Sequence, residues 1–254
     1  PPLDLGSRFR LAADGTRVVY RTFTDLYSAP LDGSQPPVRL NGRFGPGHGN
    51  PLFGAMLGSG FEISPDGARV VYVSDPAAAE RWELFSVRMD GGGGIRSSVR
   101  LNAPLPPNGD VLQFALSADG ARVVYCADQE VNERHELYSV PIDGAPHFER
   151  ASGARRGWLK LNGPLAPGGR VGAGCCFEDS FRLSPDGSRV VFTANALDAG
   201  HQDLFSAAID GGALVALTTG VTDVSDFRFA PGGERVVFVN AFSASGLRSE
   251  ERRV

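Results

Sequence analysis

The segment DQEVNERHE, Asp128 to Glu136, brings side-chain oxygens together at Asp128, Glu130, Asn132 and Glu133. Oxygen donors at such close spacing are the chemistry of a calcium loop. Calcium is therefore the cofactor to weigh, although the segment lacks the central Gly and distal Glu of an EF-hand. The parallel segments DPAAAERWE and ALDAGHQD do not keep its pattern. Asp198, His201 and Asp203 have the right types for a transition metal, but polar residues so spaced in a hairpin more often make a turn. Glu83, Glu136 and Asp203 each stand directly before Leu and an aromatic residue. That recurrence marks them as structural. Catalytic motifs are missing: no G-x-S-x-G elbow, no H-E-x-x-H, no C-x-x-C, no Walker loop and no G-x-G-x-x-G. The reading that follows is a non-enzymatic protein with no resident cofactor.

Bulk properties narrow the partners. The 254 residues carry a formal net charge of −4 without a basic block, which disfavours nucleic acid, since phosphate binding needs clustered Lys and Arg. No apolar run reaches the roughly 18 residues of a membrane helix. Lys160 is the only lysine among 25 basic residues, a usage that fits a GC-rich bacterial genome. The three cysteines, Cys126, Cys175 and Cys176, are an odd number and make no disulfide framework. Adjacent Cys175 and Cys176 read as two thiols or as a strained vicinal pair.

The elements that would position any site come from internal repetition. An Asp-Gly word follows an apolar segment at Asp14, Asp66, Asp119 and Asp186, with a degenerate copy at Gly232, and each copy is followed by Arg-Val-Val and an aromatic. A second word follows: DLYSAPLDG, ELFSVRMDG, ELYSVPIDG, DLFSAAIDG. A third closes each unit: VRLN, VRLN, LKLN, VALT. These words are short, rich in β-branched and aromatic residues and bounded by turn residues, so they read as strands. The Asp-Gly words read as tight hairpins. In ARVVYVS, Val70 and Tyr72 face one way and Val71 and Val73 the other. A strand apolar on both faces belongs to a sheet covered on both sides. The fold class is therefore all-β: a β-propeller of four-stranded antiparallel blades. Four blades are complete (about 8–42, 61–103, 113–163 and 180–219) and a fifth is partial (226–242). The successive spacings of 52, 53, 67 and 46 residues exceed most solenoid repeats.

The run SPDGARVVYVSD…ELFSVRMDGG…VRLN and its copies resemble the TolB-type propeller repeat, a relative of the tryptophan-aspartate repeats, over about residues 8 to 242. The resemblance implies the propeller. It leaves function open, because the repeat occurs in envelope proteins, in surface proteins and in the propellers of prolyl-oligopeptidase-like enzymes. Residues 1–246 are expected to form the propeller. The final RSEERRV resembles the translation of a sequencing adapter, so residues 247–254 are expected to be non-native and the native chain to continue past about Gly246.

In a meander blade the first-to-second and third-to-fourth turns share one face. Here these are mostly short Asp-Gly turns, except for Ala145 to Trp158. The second-to-third turns and the blade-to-blade crossovers share the other face and are longer and more varied. Variable loops on a rigid frame commonly carry function. His48, Phe53, Trp82, His135 and His201 are the candidate ligand-binding residues there, the plainer alternative being solvated or locally packed loop residues. The expectation is a binding scaffold for a protein, peptide or glycan, periplasmic or extracellular at the cell envelope. The alternative is the accessory propeller of a prolyl-oligopeptidase-like hydrolase.

Overall fold

The computed structural model describes residues 9–22, 25–42, 60–75, 81–92, 97–144, 147–148, 155–172, 180–197, 199–219, 223–243 and 246–254. No helix occurs among them. The first blade is β1 (Phe9–Leu11), β2 (Arg17–Arg21), β3 (Leu26–Pro30) and β4 (Val38–Arg39), and the second is β5 (Phe61–Ile63), β6 (Arg69–Ser74), β7 (Glu83–Arg88) and β8 (Val99–Arg100). The third opens with β9 (Val111–Leu116), β10 (Arg122–Ala127) and β11 (Glu136–Pro141). A small hairpin, β12 (His147–Phe148) with β13 (Arg155–Arg156), precedes its last strand, β14 (Leu159–Lys160). The fourth is β15 (Phe181–Leu183), β16 (Arg189–Ala194), β17 (Asp203–Ala208) and β18 (Val215–Ala216). Each is a four-stranded antiparallel meander in chain order. The fifth sheet has three strands, β19 (Asp223–Phe229), β20 (Arg235–Ser243) and β21 (Gly246–Arg253).

The sequence reading ended the fifth unit near 242, whereas β21 pairs with β20 from Arg235↔Arg253 to Ser243↔Gly246. An edge strand with open backbone groups can pair with any extended segment that follows it, whatever its side chains.

The doubly apolar second strands do what their pattern requires. Val70 and Tyr72 enter a core shared with Val19, Leu26 and Leu40 of the first blade. Val71 and Val73 enter a different core, with Val123, Tyr125 and Tyr138 of the third. The same division recurs between blades three and four, around Val124, Leu137, Val190 and Phe192, and between four and five, around Val191, Leu204, Val236 and Phe238. Among the described residues, four such cores join the five blades in sequence order. Within each complete blade the second and third strands also stack an aromatic pair: Tyr20–Tyr27, Tyr72–Phe85, Tyr125–Tyr138 and Phe192–Phe205, with centroids 5.4 to 5.8 Å apart. Such pairs add about 0.5–1.5 kcal/mol beyond their burial.

Three polar devices repeat with the words. In the second to fourth blades, the Ser64, Ser117 and Ser184 hydroxyls donate to Asp66, Asp119 and Asp186 and accept from the amides of Arg69, Arg122 and Arg189. The first blade has Ala12 in that place, and Thr16 binds Asp14 instead. The second-strand arginines Arg17, Arg69, Arg122 and Arg189 donate through Nε to Ser28, Ser86, Ser139 and Ser206 at 2.8–2.9 Å. The amides of Leu26, Leu84 and Leu137 donate to Oδ1 of Asn41, Asn102 and Asn162 at 2.8 Å, and that of Leu204 donates to the Thr218 hydroxyl at 2.9 Å. The Asn of the third word therefore ties the fourth strand to the third.

The Asp-Gly turns also nest from blade to blade. Gly187 has φ +74°, a left-handed conformation suited to glycine, and a Cβ there would lie 2.5 Å from the Ala118 amide nitrogen of the preceding blade. Gly15, at φ +68° in the first blade, has nothing within 4 Å of the same position.

Candidate functional site

On the crossover face, two of the links between blades run, over residues 102–110 and 162–171, as straps between two second-to-third loops. Residues 102–110 join β8 to β9. Along the way the Arg81 guanidinium donates to the Leu105 carbonyl and Ala103 N donates to Gln129 Oε1 at 3.1 Å. Gln129 is buried and also accepts from the Tyr125 hydroxyl at 2.9 Å. Residues 162–171 run the same way between blades three and four, with Val171 N donating to the His135 carbonyl and Ala166 N to the Asn195 carbonyl.

The far ends of these two straps meet the residue just before the third strand, at Trp82 and His135, and the start of β19 meets Gln202 in the same way. Val111, Val171 and Val224 donate their amides to the carbonyls of these three residues at 2.8, 2.9 and 3.1 Å. The preceding residue differs: Asp110, Arg170 and Asp223. Asp110 Oδ1 accepts from Trp82 N at 2.8 Å, while its own amide donates to Asp128 Oδ1 at 2.6 Å. Asp223 Oδ1 likewise accepts from Gln202 N at 2.9 Å, but in an exposed position. Burial pushes the Asp110 carboxyl up to about 6, the Trp82 amide opposing the shift, the Asp128 and Asp75 charges adding to it and His135 opposing it.

The sequence-predicted residues fall out as follows. His48 and Phe53 lie outside the described residues. Trp82 is half-buried and packs against the core between blades two and three. His135 is only 7% exposed, so its ring is part of the packed loop. Trp82 and His135 stand at the same blade position and flank Asp110, and the structure brings these two together. His201 is separate, in the fourth blade, where its carbonyl accepts from Asn195 Nδ2 at 2.8 Å. Asp110 went unnoticed in the sequence, although LNAPLPPNGDV and LNGPLAPGGRV differ in charge at that one fixed position.

Two residues of the segment weighed for calcium have partners for their oxygens. Both Asp128 oxygens accept backbone amides, from Asp110 and from Glu133, and Glu130 pairs with Lys160 at 3.0 Å. Glu133 sits at φ +64°. Asp198 lies outside the described residues, and Asp203 is buried and accepts from the Thr218 hydroxyl at 2.9 Å. Among the described residues, no group of three or more His, Cys, Asp and Glu is arranged to hold a metal ion. Glu83 and Glu136 are buried, paired with Arg100 at 3.0 Å and Lys160 at 2.7 Å, the structural role that their recurrence indicated. Cys126 is buried in the core between blades three and four, and Cys175 and Cys176 lie outside the described residues. No helix among the described residues is long and apolar enough to cross a membrane.

No family model matches the chain, and no curated protein matches it. Among solved structures, the chain is similar to a TolB-like protein from Agrobacterium tumefaciens. The two share 20% identity over 96% of this chain and 76% of that one, with a TM-score of 0.48.

Proposed function

We propose that this chain is a non-enzymatic propeller scaffold that binds a protein, peptide or glycan through its crossover face, in the periplasm or at the cell envelope. One observation carries the reading. The repeated residues bond within the frame, while on the crossover face the position before the third strand changes from blade to blade. Ser64, Asp66, Arg69, Ser86 and Asn102 bond within their blade, as do their counterparts in blades three and four. At the position before the third strand the chain instead offers Trp82, His135 and Gln202 in turn. Half-buried Trp82 is the kind of amphipathic anchor that recognition surfaces favour. The envelope location draws on the TolB-type repeat words.

The test is a set of peptide and glycan arrays probed with labelled full chain, wild type beside two variants. One carries Trp82→Ala and Glu130→Ala on the crossover face. The other carries Asp32→Ala and Asp90→Ala on the turn face. The proposal expects array signals that the first variant loses and the second keeps. Signals lost only in the turn-face variant, with both variants folded, would overturn it.

A further inference from the structure

The two straps and the start of β19 differ in the residue that precedes the bonding valine. At the junction of blades three and four the closing residue is Arg170, and at that of blades four and five Asp223 is exposed. Between blades two and three, Asp110 is drawn partly out of water and grips both neighbours. Its carboxylate holds Trp82 N of the second blade and its amide holds Asp128 Oδ1 of the third. We propose that this strap is a proton-operated clasp: with a proton on Asp110 it holds both loops, and without one it keeps Trp82 but releases the Asp128 loop.

The asymmetry follows from the groups that face Asp110. Trp82 offers it an N–H, an attraction that strengthens when the carboxyl ionises. The short bond from the Asp110 amide keeps the Asp128 carboxylate close, and Asp75 at the end of β6 adds a further negative charge. His135 opposes them from the third-blade loop, and Arg81 beside Trp82 is directed to the Leu105 carbonyl. Ionisation therefore sets Asp110 against Asp128 and Asp75. Glu133 in the Asp128 loop is a non-glycine residue held at φ +64° and Asn108 in the strap is another at φ +61°, so the bond between strap and loop is the one that yields. Its release would re-aim Glu130 and Glu133 on the crossover face, whatever that face binds.

Residue-resolved amide exchange on the full chain, corrected for intrinsic rates, tests the clasp between pH 5 and 7.5. Protection of the Asp110 and Glu133 amides is expected to fall about tenfold as pH rises, while that of Trp82 holds. In Asp110→Asn, which keeps an acceptor for Trp82, the fall should vanish. In Asp128→Asn the Asp110 amide should show a much smaller fall. Protection that is flat in the wild type, that falls equally at Trp82, or that keeps its fall in Asp110→Asn would overturn the proposal.

Discussion

Six aspartates of the turn face and Asp110 of the crossover face are held in opposite ways. On the turn face, Asp14, Asp32, Asp66, Asp90, Asp119 and Asp186 are all held below the usual carboxylate range. The largest cause is a neighbouring hydroxyl at Asp66, Asp119 and Asp186, the Arg88 guanidinium at Asp90, and a backbone amide at Asp14 and Asp32. On the crossover face, Asp110 is pushed the other way by burial and by like charges. The first arrangement suits a frame that stays ionised through neutral pH. The second leaves a strap whose fit depends on a proton.

The sharpest way to break this comparison is to disturb the nesting of the turns. Gly187→Ala and Gly15→Ala impose similar left-handed strain, about 1–2 kcal/mol, but only the former drives a methyl into the Ala118 backbone. Urea unfolding should therefore show Gly187→Ala as the more destabilising of the two. Equal losses would mean that the turns do not pack between blades. Next in size is Asn162→Ala, which leaves the buried Leu137 amide without its acceptor. A loss of about 1–3 kcal/mol is expected in the same assay.

Asp186 sharpens the comparison through pH. The Ser184 hydroxyl and the Ser188 amide and hydroxyl hold its carboxyl down to about 2. Its folded value lies below its unfolded one, so the stability it contributes is present above about pH 4 and is lost as pH falls towards 2. Asp186→Asn should narrow the gap in urea midpoint between pH 5 and 2.5. The smallest effect belongs to Glu130→Gln. It removes a largely exposed pair with Lys160, worth no more than about 1 kcal/mol, and should leave the thermal midpoint almost unchanged.

Much of the frame was legible in the residues. Period-two burial of Val70 to Val73 foretold two cores, and the Asp-Gly words foretold the hairpins, because both are local consequences of side-chain alternation and turn chemistry. The Asn of the third word did not reveal its role, since its bond to Leu84 N exists only once the third and fourth strands are in register. Asp110 was hidden for the same reason: its neighbours Asp75, Trp82, Asp128 and His135 meet only across the blade junction. His135, read as a ligand-binding candidate or a solvated or locally packed loop residue, is buried, and the strap amide of Val171 bonds its carbonyl at the junction. The pairing of β21 depends on an open strand edge rather than on a repeat word, and so lay beyond pattern reading.

The contrast between the faces is tested most directly by the unfolding free energy of wild type and Asp110→Asn, measured from pH 2 to 8. Asp110 has a folded value above its unfolded one, so its contribution is fully present below about pH 4 and is lost as pH rises through about 6. Burial shifts Glu62 in the same direction, Arg10 and the Leu116 backbone only partly opposing it. Wild type should lose stability on both sides of a maximum between about pH 4 and 6. Asp110→Asn should keep the acid loss and lose part of the decline above pH 5. A wild-type curve that rises steadily from pH 5 to 8, or a variant curve that matches it throughout, would contradict the account.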